Sequence, residues 1–386
     1  MLLHAEDRRD RLTSKAGHVG SELTVMRRLA AVLVLMPVLV LMPVRILGGP
    51  AAAQEVWPLQ ERAVAFDDTS AGVPVDYVPL ARASRPWRLC VLYPHLKDAY
   101  WLSVNYGMVV EARKLGVAFD VFEAGGYPNL SRQIEQLQGC ASDAFDAVIL
   151  GAVSYDGLTP TVAAIAAKKP VIASVNDIDD TGITAKASVP WREMGAAAGR
   201  VISARHPKGS TPVRIAWFPG PKGAGWVRFV EEGFRAEIAQ SSAQIVATRF
   251  GDTGLEQQVL LVEDVLDEVP QIDYLVGSGP MAEAAVSILR ARGLSDSVQV
   301  VSTYMSHAVY RGIKRGRILA APTDFAALQG KLSVEMAVRA LEGSLTVRHA
   351  GPAIVVVDAA TIDRIGAEGS LAPASFAPIF SQPAGR

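Results

Sequence analysis

The sequence has few of the residues that usually carry metal or acid–base chemistry. It contains only two cysteines and six histidines in 386 residues. The two cysteines do not have the spacing of a zinc site, and no histidine lies in an HExxH or triad-like pattern. The glycine-rich stretch Gly220–Gly225 lacks the GK[ST] ending of a phosphate-binding loop. We therefore expect no catalytic residues, no metal site and no cofactor.

A strong excess of one charge is also missing. The 38 lysine and arginine residues nearly balance the 39 aspartate and glutamate residues. Such a chain has no global field that would attract nucleic acid or an acidic partner. The sequence also lacks an internal repeat, a low-complexity tract and a basic helix-turn-helix pattern. We therefore expect no nucleic-acid partner.

The N-terminal region has the layout of a secretion signal. Arg27-Arg28 precede the apolar run Leu29–Val44, and Ala51–Ala53 then supply small residues suited to signal-peptidase cleavage. The run is shorter than the ~20 residues that a membrane-spanning helix needs. We expect residues 26–53 to be a signal peptide, with export to the periplasm and no membrane insertion after cleavage. The polar residues 1–25 do not suit a signal peptide and are expected to be an upstream extension of the gene model.

The two cysteines allow two interpretations. Cys90 lies in a predicted strand and Cys140 ends a predicted helix. In an exported protein such a pair often forms a disulfide. The alternative is two buried thiols that pack as small hydrophobic side chains. A disulfide depends on a Cα separation that sequence does not give, so both interpretations stay open.

From Trp87 onward, strand-like apolar runs alternate with helical patterns in two series. Near-continuous apolar strands separated by helices indicate parallel sheets covered on both faces. The predicted fold class is therefore α/β, with two doubly wound parallel-sheet lobes. The expected division is an irregular N-terminal arm at 54–86, a first lobe at 87–186 and 324–345, and a second lobe at 187–323 and 346–386. The expected crossings between lobes lie near 183–190, 321–324 and 346–354.

The most informative stretch is Lys97–Trp101, which has the sequence KDAYW and follows the predicted strand Leu89–Tyr93. The loop after a strand of an open α/β sheet is where such folds bind ligands. Phosphate-binding loops at this point are rich in glycine, whereas this loop offers two aromatic rings and one carboxylate. Aromatic faces attract cations. The loop therefore suits a small, methylated nitrogen compound with positive character.

Several segments resemble the type I periplasmic binding proteins. They are Cys90–Met108 (CVLYPHLKDAYWLSVNYGM), Glu123–Asn129 (EAGGYPN), Ser188–Gly199, Arg205–Ser210 (RHPKGS), Ser306–Gly312 (SHAVYRG) and Ala321–Asp324 (APTD). The resemblance is strongest to the members that sense trimethylamine N-oxide, and it runs from about Trp87 to Phe380. It implies a type I fold with two lobes joined by three crossings. It also implies two partners, which are trimethylamine N-oxide or a similar small methylated amine compound and the periplasmic domain of a sensor histidine kinase.

A site for trimethylamine N-oxide needs two kinds of group. Aromatic walls stabilise the methylated, formally positive nitrogen, and a hydrogen-bond donor must meet the negative oxygen because burying that oxygen without a partner is costly. Positions expected to face the cleft can supply both. The predicted ligand-binding residues are Asp98, Tyr100, Trp101, Tyr127, Asn176, Trp191, Tyr304 and Asp324.

These residues also have structural interpretations. Asp98 could cap the following helix, and the aromatic residues could pack at helix starts or lie on turns. Asn176 and Asp324 could make hinge hydrogen bonds instead of contacting a ligand. A second pair of tryptophans, Trp217 and Trp226, is interpreted as packing around the glycine-rich loop.

An alternative function on the same fold is the sugar-binding component of an ABC-type uptake transporter. Sugar pockets combine an aromatic platform with several polar side chains that bind hydroxyl groups. Asp98, Asn176, Arg192 and Asp324 could form part of such a set. The expected rim is richer in tyrosine and tryptophan than sugar binding requires, which favours the sensor.

Overall fold

The computed structural model describes residues 55–385. The expected signal peptide and upstream extension lie outside these residues. The strands are β1 (Trp57–Arg62), β2 (Gly72–Tyr77), β3 (Arg88–Tyr93), β4 (Ala118–Glu123), β5 (Ala147–Leu150), β6 (Val171–Ser174), β7 (Ala185–Ala187), β8 (Val213–Gly220), β9 (Ala243–Phe250), β10 (Tyr274–Gly277), β11 (Gln299–Ser302), β12 (Ala320–Thr323), β13 (His349–Pro352), β14 (Val355–Asp358) and β15 (Ser381–Gln382). The helices are α1 (Ala99–Leu115), α2 (Leu130–Gly139), α3 (Thr159–Ala166), α4 (Trp191–Ser203), α5 (Gly225–Ile238), α6 (Leu255–Glu268), α7 (Gly279–Ala291), α8 (His307–Lys314), α9 (Ala326–Leu341) and α10 (Ile362–Ile365).

The described strands form two sheets. The first has the order β15-β4-β3-β5-β6-β7-β13-β1-β2, and the second has the order β14-β12-β11-β10-β8-β9. The central strands of both sheets pair in parallel. Every residue of β5, β6 and β10 is buried, as expected for parallel strands covered by helices on both faces. The predicted α/β fold with two parallel-sheet lobes is confirmed.

The chain passes between the two sheets near the predicted crossings. It leaves the first sheet after β7, returns after β12 through α9, and leaves it again between β13 and β14. The C-terminal tail adds a further passage, because β15 pairs antiparallel with β4 of the first sheet. This differs from our expectation that residues 346–386 all belong to the second lobe. Both β13 and β15 complete the first sheet.

The N-terminal arm is more regular than the sequence indicates. Its strands β1 and β2 form an antiparallel hairpin, and β1 pairs with β13 at the edge of the first sheet. The expectation of an irregular arm is therefore wrong. The sequence pattern is weak here because a hairpin at the edge of a sheet buries few side chains. Trp57 and Leu59 of β1 and Tyr77 of β2 are buried, and most of the other strand positions stay partly or fully exposed.

A disulfide joins Cys90 of β3 to Cys140, the residue that follows α2. Their Cα atoms lie 5.8 Å apart, within the usual range for this bond. Of the two interpretations left open, the structure has the disulfide. Within residues 55–385, no helix is both long enough and apolar enough to span a membrane.

Candidate functional site

Asp98 lies in the loop between β3 and α1, and its two carboxylate oxygens each accept a different hydrogen bond. Its backbone has the extended conformation of an N-cap, and its Oδ1 accepts a 2.9 Å hydrogen bond from the Tyr100 amide. Its Oδ2 accepts a 2.5 Å hydrogen bond from the Tyr304 hydroxyl of the second lobe. The helix cap therefore fixes the carboxylate and directs its second oxygen toward the cleft.

Trp101 is held in the first turn of α1 by close packing. Its ring lies 5.1 Å from the Tyr93 ring and approaches the residue that follows β5, which is Gly151. A Cβ atom at position 151 would stand only 2.5 Å from Cη2 of the indole. A glycine at this position is therefore what allows the indole to lie at the end of the strands.

Tyr127 enters the cleft from the loop after β4. Gly125 and Gly126 both adopt positive φ angles, of 85° and 147°, which allow the sharp turn. The Tyr127 hydroxyl oxygen accepts a 2.9 Å hydrogen bond from Asn176 Nδ2 and a 3.1 Å hydrogen bond from Trp226 Nε1. Both contacts use the oxygen as acceptor, which leaves the hydroxyl proton available to a ligand.

Trp191 is the first residue of α4 and comes from the second lobe. Its Nε1 donates a 2.8 Å hydrogen bond to the carbonyl of Val175, a residue at positive φ of 67° next to Asn176. Its ring lies 5.5 Å from the ring of Trp226. This hydrogen bond orients the indole across the crossing and keeps its donor occupied by the protein.

Tyr304 and Trp226 complete the wall from the second lobe. Tyr304 follows β11, and its ring lies edge-on to Tyr100 at 5.3 Å and to Trp226 at 6.0 Å. Gly279 makes room for it, because a Cβ atom there would stand 2.8 Å from the Tyr304 ring. The rings of both lobes therefore pack at angles to one another around one space.

That space is a small cavity between the lobes. Its volume is ≈ 10 Å³, about the least that can hold one water molecule, so the side chains of the two lobes nearly close it. It is lined by Asp98, Tyr100, Trp101, Tyr127, Asn176, Trp191, Trp226, Thr253 and Tyr304. Six aromatic side chains and one carboxylate form its wall, and a ligand of even a few heavy atoms enters only if these side chains or the lobes move apart.

The electrostatics of the cavity are dominated by Asp98. Burial raises the pKa of its carboxyl, and the hydrogen bonds from Tyr304 and Tyr100 lower it in part. Burial and the neighbouring carboxylate raise the pKa of Tyr304 well above its usual value, so this hydroxyl stays a neutral donor. The direct partners of Asp98 are a hydroxyl and a backbone amide rather than a cationic side chain. A ligand with positive character would therefore favour the ionised form of this buried carboxyl and compensate its charge.

Asp324 lies behind the cavity wall rather than in it. Its Oδ2 accepts hydrogen bonds from the Tyr100 hydroxyl at 2.6 Å and from Gln329 Nε2 at 2.7 Å. Burial raises the pKa of Asp324. The residue follows β12 at the second crossing, so its observed contacts are those of a group that positions Tyr100.

Two lining residues were not among the predicted site residues. Trp226, near the start of α5, was interpreted as packing, and the structure corrects this because its ring faces the cavity. Thr253, which follows β9, is not among the predicted residues but also lines the cavity. Both come from loops or helix starts at the carboxyl ends of second-lobe strands, which is the same signal that identified Trp101. Trp217, by contrast, stacks on Phe234 at 4.1 Å within the second lobe.

Among residues 55–385, no group of three or more histidine, cysteine, aspartate or glutamate side chains is arranged to hold a metal ion. The polar groups at the cavity are a carboxylate, an amide and hydroxyls, each fixed by packing or by hydrogen bonds. The arrangement can enclose and orient a ligand.

Comparison with known proteins gives a consistent result. Residues 89–345 match the family described as periplasmic binding protein domain. The chain is 41% identical over 302 residues to the periplasmic protein TorT of Escherichia coli K12, a match that covers 78% of this chain and 86% of that protein.

Solved structures with the same fold include two with high sequence identity. A solute binding protein of an ABC transporter from Bradyrhizobium sp. BTAi1, with bound bis-tris, has a TM-score of 0.72 and 44% identity, covering 84% of this chain and 98% of that chain. TorT in complex with the TorS sensor domain in the presence of TMAO has a TM-score of 0.69 and 41% identity, covering 76% of this chain and 99% of that chain.

Proposed function

Because the chain belongs to the periplasmic binding protein family, we propose that it binds trimethylamine N-oxide between its lobes and signals to a TorS-type hybrid sensor histidine kinase in a two-component system. The protein is periplasmic, as its family and its TorT relative are. It acts as a binding protein and carries out no catalytic step.

The observation that carries this proposal is the set of aromatic rings around one buried carboxylate. Tyr100, Trp101 and Tyr127 come from the first lobe, and Trp191, Trp226 and Tyr304 come from the second. Aromatic faces and a carboxylate both stabilise a trimethylated, formally positive nitrogen, with about 0.5–2 kcal/mol from each close ring contact. The rings close tightly around the carboxylate, so a ligand bound between them has to be small.

The N-oxide oxygen needs a donor, and Tyr127 is the best placed group to provide one. Its oxygen already accepts from Asn176 and Trp226, so its own proton is free for the ligand. Burial raises the pKa of Tyr127, so the hydroxyl keeps that proton at neutral pH. The nitrogen would then face Asp98 and the surrounding rings, and the oxygen would face Tyr127.

Ligand binding would couple to the arrangement of the lobes because the wall is built from both of them. A ligand that contacts both lobes binds the closed arrangement more tightly and shifts the equilibrium toward it. So small a ligand would supply a coupling free energy of about 1–3 kcal/mol. The periplasmic domain of the kinase would read this shift in shape.

Isothermal titration calorimetry tests the proposal, with trimethylamine N-oxide titrated into the purified protein alone and into its mixture with the sensor domain of the kinase. We expect saturable heat at a stoichiometry of one in at least one of the two titrations. The absence of binding heat in both titrations would contradict the proposal.

A second candidate is the solute-binding component of an ABC transporter, which the 44% identity to the Bradyrhizobium protein favours. The solved structure of that protein contains bound bis-tris. A thermal-shift panel of sugars and small amines separates the candidates. Stabilisation by pentoses or hexoses, with none by trimethylamine N-oxide, would support the transporter component.

A further inference from the structure

A contact between the lobes lies beside the cavity and is separate from the hydrogen bonds described so far. His95, in the loop between β3 and α1, is fully buried. Its Nε2 lies 3.0 Å from Thr253 Oγ1 and 3.3 Å from Asp252 Oδ1 of the second lobe. The loop that follows β9 thus meets the loop that follows β3 at the mouth of the cleft.

The surroundings of His95 determine which ring nitrogen carries the proton. The backbone amide of Lys97 donates a 3.2 Å hydrogen bond to Nδ1, so Nδ1 is the acceptor. In the neutral ring, Nε2 then carries the hydrogen and donates it toward Thr253 and Asp252. The imidazole is therefore oriented by its own loop as a donor to the other lobe.

Asp252 makes a second contact with the first lobe. Burial raises the pKa of its carboxyl, but hydrogen bonds from His95 and from the backbone amides of Thr253 and Tyr127 hold the pKa below its usual value. Gly126 is required for this approach, because a Cβ atom there would stand 2.6 Å from Asp252 Oδ2. One ionised carboxylate of the second lobe thus contacts two loops of the first.

The same contacts reach the cavity wall. The His95 ring lies edge-on to the Tyr127 ring, with centroids 5.7 Å apart and planes at 80°. Thr253 itself lines the cavity. A shift of the loop that carries Asp252 and Thr253 would therefore also move the surroundings of Tyr127, the proposed ligand donor.

We propose that His95, Asp252 and Thr253 form a latch that holds the two lobes closed and controls how long a ligand stays bound. In this latch, His95 and Asp252 are positioning residues. The readout with trimethylamine N-oxide rests on the proposed function, whereas the closure of the lobes can be measured without a ligand.

The latch acts on affinity through the population of the closed arrangement. The apparent affinity of a ligand that needs the closed arrangement falls in proportion to the closed fraction. Hydrogen bonds to an ionised group are among the stronger ones in proteins. Loss of the latch is therefore expected to raise the dissociation rate of the ligand about tenfold, which corresponds to about 1.4 kcal/mol, with a much smaller change in the association rate.

The test measures the electron–electron distance between two spin labels, one on each lobe. The labels are attached at Glu135→Cys of α2 and Glu263→Cys of α6, which are both exposed positions. The test variants are Asp252→Ala and Thr253→Val, and the control is Glu256→Ala, an exposed carboxylate in the first turn of α6. We expect both test variants to move the distance distribution of the ligand-free protein toward longer distances and to speed trimethylamine N-oxide dissociation. The control should do neither.

Unchanged distances and an unchanged dissociation rate in both test variants would overturn the latch. If Asp252→Ala impairs folding, as measured by circular dichroism, Thr253→Val decides, because it removes one hydroxyl and keeps the shape of the side chain. If the unmodified protein does not bind trimethylamine N-oxide, the proposed function fails, and the ligand-free distances still decide whether the latch exists.

Discussion

The hydroxyl of Tyr304, from the second lobe, donates a 2.5 Å hydrogen bond to Oδ2 of Asp98, from the first lobe. Both residues are buried, and both line the cavity. A group that would bind the ligand is therefore also a group that joins the lobes. This shared role explains how a ligand with little surface area could influence the arrangement of a whole protein.

Tyr127→Phe tests the proposed donor to the N-oxide oxygen. The variant keeps the aromatic wall and removes one hydroxyl. We expect its affinity for trimethylamine N-oxide to fall about tenfold to hundredfold, since a hydrogen bond to a charged group contributes about 1.5–3 kcal/mol. Calorimetry measures the affinity. Tyr93→Phe is the control, because Tyr93 is equally buried but its hydroxyl contacts Met108 and Asn105 rather than the cavity. Equal affinities in Tyr127→Phe and the unmodified protein would contradict this role.

Asp98→Asn tests the charge of the cavity. Asparagine has nearly the same shape, and its Oδ1 can still accept from the Tyr100 amide. Its Nδ2, in place of Oδ2, cannot accept from the Tyr304 hydroxyl but can donate to that oxygen, so the contact is kept with its direction reversed. We expect the affinity for trimethylamine N-oxide to fall at least about tenfold, because the positive nitrogen loses its only partner of opposite charge in the wall. The melting temperature without ligand should not fall, since the variant removes a buried charge. Asp143→Asn, at an exposed position, is the control. A lower melting temperature with unchanged affinity would instead identify Asp98 as a helix cap only.

Gly151→Ala tests the packing that places Trp101. The added methyl group would stand 2.5 Å from the indole and must displace it. We expect ligand binding to be lost, together with a destabilisation of about 1–3 kcal/mol from overpacking. Gly139→Ala is a matched control, because a Cβ atom at that position has no neighbour within 4 Å. Calorimetry and urea denaturation give the two quantities. Normal ligand affinity in Gly151→Ala would show that the position of Trp101 does not matter for binding.

Glu111→Gln tests a buried carboxyl of α1 that lies away from the cavity. Burial raises the pKa of Glu111 to about 7, although Lys114 opposes this. Between pH 4.5 and about pH 7, the folded protein keeps a proton that the unfolded chain has released. The contribution of Glu111 to the free energy of unfolding therefore falls as the pH rises through this window. Relative to the unmodified protein, Glu111→Gln should gain stability across this window, by up to about 3 kcal/mol, with no further gain above it.

Urea denaturation at pH 5 and pH 8 measures this dependence. Glu135→Gln, an exposed carboxyl on α2, serves as the control. The same stability difference between Glu111→Gln and the unmodified protein at both pH values would contradict the predicted proton uptake.

The first-lobe half of the cavity could be predicted from sequence because its residues lie close to apolar strands in the chain. Trp101 and Tyr127 each follow a strand by a short loop, and parallel strands bring such loops to one edge of the sheet. The same rule would have found Trp226 and Thr253, which follow β8 and β9. The glycine-rich stretch before Trp226 obscured only the start of α5, which begins at Gly225.

Other features depend on contacts between residues far apart in the chain. Asp324 contacts Tyr100, a residue 224 positions earlier, and sequence gives no measure of that approach. The pairing of β15 with β4 joins two residues to an edge strand, too short a segment to produce a periodic pattern. The hairpin of the N-terminal arm is equally hard to predict from sequence, since only one side of it is buried.

The most direct test of the account is a crystal structure of the protein grown with trimethylamine N-oxide. The account predicts one ligand inside the cavity between the lobes, with its oxygen within hydrogen-bond distance of the Tyr127 hydroxyl and its methyl groups against Trp101, Trp191 and Tyr304. A ligand bound outside the cavity, or a saturated crystal with no ligand between the lobes, would contradict it.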